Sequence, residues 1–156
     1  MRVDAVRVVI PKGAYTSDGP PDWIVASSGD PDMQGWAQAE TLFHETSHLM
    51  IHPVEQALYV AARDLHVPPP RALWHVVLFY TAGELTKQAL ARRKVAYEPY
   101  LYKTGLFDRA WPMYRAAIEA VLPKFVSGKD TREEMAHALL RKIGGAETQG
   151  PPPRRD

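Results

Sequence analysis

A chain of 156 residues suits one domain, and 46% hydrophobic against 24% charged residues is a globular composition. A net charge of +1 leaves no strong field to hold nucleic acid or an anionic membrane surface. With no cysteine, disulfide scaffolds, thiolate zinc sites and thiol nucleophiles are excluded together. The longest apolar run, over 73–81, is interrupted by His75 and is far too short to span a bilayer. The amino terminus alternates charged and apolar residues and lacks the continuous apolar stretch of a signal peptide. As written, the chain reads as cytoplasmic; a trimmed fragment of a secreted protein would have the same composition.

In chain order, Val3, Val6, Val8, Val9 and Ile10 form a β-rich run ending at Pro11, and Trp23-Ile24-Val25-Ala26 forms a second, shorter one. Gly13 and the stretch over 17–22 read as loop between them. From Met33 onward the pattern is helical. A helix is predicted over 35–51, breaking near His52-Pro53 because proline disfavours helix in the residue before it. Pro53 opens a second helix, with Val54, Ala57, Leu58, Ala61 and Leu65 at 3–4 spacing. Pro68-Pro69-Pro70 is a stiff connector to a third helix over 71–94, whose stripe is Trp74, Val77, Leu78, Thr81 and Leu85. An aromatic loop over 95–106 carries Tyr97, Tyr100 and Tyr102. Asp108 is placed to N-cap a helix running to Leu122, with Pro112 in its first turn. Thr131-Arg132-Glu133-Glu134 is a capping-box pattern opening a last helix, expected to stop at Gly144-Gly145. The expectation is a mostly helical α+β domain over 1–145 with a disordered tail over 146–156 that holds three prolines in a row.

His44-Glu45-Thr46-Ser47-His48 is H-E-x-x-H on a predicted helix. Residues four apart lie about 40° apart around a helix and about 6 Å along it, so both imidazoles can converge on one metal ion. Glu45, between them, cannot ligate as well, but its carboxylate can reach a water on the metal, the position of a general base. A random order of this composition produces the pattern with a chance of roughly 1%. Its surround is uncharged, with Thr41 three residues before the first histidine and Leu49-Met50 after the second. In these residues the chain resembles the zincin metallopeptidases, a family of zinc enzymes that hydrolyse peptide bonds. The resemblance implies a small sheet ahead of the H-E-x-x-H helix, a zinc ion as cofactor, and a peptide or protein as substrate.

A catalytic zinc site needs a third protein ligand and an open fourth position. His52 is too far along the helix axis from His44. Met50 and Val54 stand where the metzincin pattern requires Gly and His. His75 and Glu84 remain, both on the third predicted helix. Nine residues apart, they are half a turn out of phase, so one straight helix can aim only one of them at the metal. Glu84 is preferred, because Thr81-Ala82-Gly83-Glu84 resembles the downstream glutamate helix of the gluzincin branch, with Gln88 one turn on as support for a ligating histidine. The spacing from His48 is longer than in the best-known gluzincins. The resemblance further implies a Tyr or His donor for the developing oxyanion, for which Tyr97 and Tyr102 are the candidates. The competing reading is a non-catalytic zinc-binding or partner-recruiting helical module. Substrate preference and oligomeric state are not written in the sequence.

Overall fold

The computed structural model describes residues 12–17 and 23–147. The predicted strand over Val3 to Ile10 lies outside the described residues, as does the tail beyond 147. Among the described residues the architecture is mostly helical with one two-stranded sheet: β1 Ala14–Thr16, β2 Ile24–Ala26, a 3-10 turn Pro31–Met33, then α1 Trp36–His48, α2 His52–Asp64, α3 Leu73–Ala91, α4 Tyr100–Lys103, α5 Leu106–Ala110, α6 Pro112–Val126 and α7 Arg132–Glu147. No helix among the described residues is long and apolar enough to cross a membrane.

β2 forms where the β-rich residues 24–26 predicted it. β1 is not among the expected strands; its three residues follow Gly13, which adopts a φ of +83°. The two strands pair antiparallel with Tyr15 opposite Val25. Asp30 fastens this hairpin to the 3-10 turn that precedes α1: its carboxylate accepts the Gly13 N–H at 2.9 Å and the Asp32 N–H at 3.0 Å. Those two backbone donors hold its pKa below the usual carboxylate value.

The hydrophobic core lies among α2, α3, α6 and α7. Leu73, Val76, Val77 and Tyr80 of α3 meet Leu58 and Ala61 of α2, Ile118 and Leu122 of α6, and Met135 and Leu139 of α7. Fully burying a Leu or Met of this kind stabilises by about 1.5–3 kcal/mol, so this cluster sets how α3 is rotated about its own axis. The rotation differs from the expected stripe: Leu85 stands 48% exposed. The opposite side of α3 is covered by α1, so the helix is buried on two faces and its apolar pattern is not one-sided.

Several expected helix boundaries moved: α1 ends at His48 and not at 51, α3 spans Leu73–Ala91 and not 71–94, α4 forms within the expected loop over 95–106, and α6 runs past Leu122 to Val126. Asp108 does not cap α6; it sits inside α5, its carboxylate 2.6 Å from Arg115. The break falls at Trp111, with φ −140° and ψ 45°, because the ring of Pro112 excludes helical geometry from the residue before it. The capping box forms, with Thr131 Oγ1 accepting the Glu134 N–H and Glu134 Oε2 accepting the Thr131 N–H at 2.8 Å. α7 then continues through Gly144-Gly145 to Glu147. A mid-helix glycine costs only about 1 kcal/mol relative to alanine, less than the preceding turns gain by packing on α2 and α6.

Candidate metal centre

Facing pairs fix how α1 meets α3. Glu40 meets Gly83, the His44 ring stacks on Phe79 at 3.7 Å, and His48 lies edge-on to His75 at 5.0 Å between ring centroids. Each four-residue step forward on α1 matches a four-residue step back on α3, so the helices run antiparallel and their facing side chains stack in layers.

The layer at the carboxyl end of α1 gathers three imidazoles. His44 Nε2 lies 3.1 Å from His48 Nε2 and 3.1 Å from His75 Nε2. All three ligand atoms fall within 4.8 Å of one another, and the three residues are placed so that they could hold a metal ion. Protons alone do not satisfy this arrangement. His44 Nε2 offers either one hydrogen or one lone pair, yet has two nitrogen neighbours at bonding distance. A cation accepts all three lone pairs. At metal–nitrogen distances of about 2.0–2.1 Å, a tetrahedral ion sets its ligand nitrogens about 3.3 Å apart, close to the spacing found.

The electrostatics favour the same state. His44 is 2% exposed, and burial, then the neighbouring His75 and His48, push its pKa down to about 3. Burial and then His48 push His75 down to about 4. Both rings are therefore neutral at physiological pH, the form in which imidazole donates to a metal. In metal-free protein these depressed values make folding pH-dependent. Between the ordinary histidine value near 6.5 and the folded values, the unfolded chain binds more protons than the folded one. The stability is fully present above that ordinary value and is lost as pH falls towards the folded values. Thermal melts in chelator should show the midpoint falling between about pH 7 and pH 4, with a shallower fall in His75→Asn. A midpoint equally steep in both proteins would contradict this origin.

Aromatic rings enclose the trio. His75 stacks on Trp74 at 4.9 Å and meets the edge of Trp111 at 5.6 Å, while His48 lies edge-on to Trp74 at 5.5 Å. Phe79, under His44, lies nearly parallel to Tyr100 at 6.3 Å and contacts Trp111 at 5.7 Å. His44 Nδ1 is buried with no hydrogen-bond partner among the described residues.

Glu45 is buried at 6% exposure beside this layer, and the Thr16 hydroxyl of β1 lies 2.8 Å from its Oε2 and 2.8 Å from its backbone oxygen. One hydroxyl hydrogen serves one of these acceptors at a time, and either contact ties the hairpin to α1 at Glu45.

Glu84 is not brought to the histidine pair. Its Oε1 lies 3.2 Å from Lys87 Nζ, and His75 holds the third position instead. The half-turn phase difference allows only one of the two, and the core packing of Leu73, Val76, Val77 and Tyr80 selects His75. Gln88 and His52 are exposed. The tyrosines are engaged elsewhere. The Tyr97 hydroxyl donates to Glu40 Oε2 at 2.7 Å, and burial followed by this bond raises its pKa. Tyr102 packs on Phe107 with the Arg115 guanidinium 5.6 Å over its ring, and burial, then Glu119, raise its pKa.

Glu40 was not anticipated. It is 1% exposed, carries no cation partner among the described residues, and accepts the Tyr97 hydroxyl together with the Tyr100 N–H at 3.1 Å. Burial raises its pKa against these two donors. The one signal in the sequence is its place four residues before His44, on the same helical face.

No protein family, curated protein or solved structure matches this chain.

Proposed function

We propose that the protein is a zinc-dependent hydrolase acting on peptide bonds, a zincin-like enzyme whose third ligand is His75 where gluzincins carry glutamate. The observation that carries this reading is the convergence of His44, His48 and His75, with His44 Nε2 3.1 Å from a ring nitrogen of each of the other two, near the spacing a tetrahedral ion sets. Three imidazoles suit zinc, and three protein ligands leave a fourth position open, the mark of a catalytic rather than a structural site. Imidazole ligands bring no negative charge to a metal, so zinc would keep its full double charge at that position. Zinc there would polarise a substrate carbonyl and lower the pKa of a water molecule towards neutrality.

The remaining chemistry falls to Glu45. One residue after His44 it stands about 100° around the helix, beside the metal position. Its carboxylate takes the proton from the attacking water and delivers it to the leaving amine, while Thr16 holds the residue in place. The H-E-x-x-H sequence and the buried position of Glu45 support this role.

The test is metal content together with cleavage. Protein prepared in zinc-supplemented medium should carry about one zinc per chain and cleave members of a mixed peptide library. Zinc binding without any cleavage would favour the non-catalytic metal-binding module, and no zinc at all would end both readings.

A further inference from the structure

A histidine that ligates through one ring nitrogen usually donates its other N–H to a carboxylate or carbonyl, which fixes the rotation of the ring. His44 has no such acceptor among the described residues: its Nδ1 is buried and unpartnered. Its rotation must be set by stacking, and the stacking partner is Phe79 at 3.7 Å. Phe79 is itself braced by Tyr100 and Trp111, and Trp111 also touches His75. Both bracing residues belong to the segment that runs from Tyr97 through α4 and α5, beyond the end of α3.

What holds that segment against the metal layer is Glu40, one turn before His44. Its fully buried carboxylate accepts the Tyr97 hydroxyl and the Tyr100 N–H, closing a contact across 57 and 60 residues of sequence. Gly83 makes room for it. A Cβ there would stand 2.7 Å from Pro99 Cβ and 3.1 Å from Glu40 Oε1, so only glycine lets the buried Pro99 and the carboxylate approach α3 together. An unpaired carboxylate is costly to bury, and an apolar residue would fill the same seam without that cost. The carboxylate is suited to capturing two donors from a distant segment.

We infer that Glu40 is a positioning residue of the metal centre: by clamping Tyr97 and Tyr100 it braces Phe79 and thereby sets the orientation of the His44 and His75 rings. This inference rests on the proposed metal centre.

Cobalt(II) is the probe, because its visible absorption reports coordination geometry as well as occupancy. The full chain, Glu40→Ala, Glu40→Gln, Tyr97→Phe and Gly83→Ala are titrated with cobalt, with helix content checked by circular dichroism. Glu40→Ala and Gly83→Ala should weaken cobalt binding by about 10- to 100-fold and alter the band shape. Glu40→Gln, whose amide oxygen still accepts one donor, should recover part of the affinity, and Tyr97→Phe should fall between. If Glu40→Ala does not fold, Tyr97→Phe and Gly83→Ala carry the test. Wild-type affinity and spectrum in these folded variants, even with a lowered melting temperature, would reduce Glu40 to a structural contact and overturn the inference alone. Failure of the unmodified protein to bind cobalt or zinc would overturn the metal centre and the inference with it.

Discussion

His75→Ala is expected to weaken zinc binding by about 10²- to 10³-fold, while Glu84→Ala leaves it unchanged. The size follows from structural zinc sites, where about 10–16 kcal/mol is shared among four ligands, or roughly 3 kcal/mol for each. Glu84 makes one described contact, an ion pair with Lys87 at 3.2 Å, and pairs with a partner so exposed are worth about 0–1 kcal/mol. The two variants therefore separate cleanly in a competition titration against a chromogenic chelator. Removing His75 also vacates the space between Trp74 and Trp111, so some loss of melting temperature accompanies it. A variant that melts lower but still binds zinc at the parent's affinity would exclude His75 as a ligand. The opposite ranking of the two variants would restore the glutamate of the gluzincin pattern.

Glu45→Gln should nearly abolish peptide cleavage, by about 10²- to 10⁴-fold in rate, with zinc content and melting temperature close to the parent's. The change keeps the size of the side chain, and its amide oxygen still accepts from the Thr16 hydroxyl, so no cavity opens and that donor keeps its acceptor. What is lost is the capacity to accept a proton from water. In the proposed site the ligands are the three imidazoles and not this carboxylate. Cleavage by Glu45→Gln at the parent's rate would assign the activity to a contaminant or to another mechanism.

The distinction between these two expectations follows what was legible before folding. His44, Glu45 and His48 could be read directly, because their relation is the pitch of a single helix: four residues bring two side chains to one face whatever that helix packs against. The capping box at Thr131 is of the same kind, since capping acts within one turn. At Asp108 the effect that decides the boundary is also local, the clash of the Pro112 ring with helical geometry at Trp111. At Gly144-Gly145 a glycine preference of about 1 kcal/mol is outweighed by the packing of α7 on α2 and α6.

From the amino-acid sequence alone it follows that His44, Glu45 and His48 share one helix and that His75 and Glu84 cannot both join them. Which of the two joins was decided by tertiary structure. Burial of Leu73, Val76, Val77 and Tyr80 in the helical core rotates α3 until His75 faces α1, and the same rotation leaves Leu85 exposed. Glu40 and its donors Tyr97 and Tyr100 depended on folding altogether. The buried Glu40 carboxylate has no cation partner among the described residues and takes its hydrogen bonds from two distant donors, and nothing in helix periodicity records contacts across 57 and 60 residues of chain.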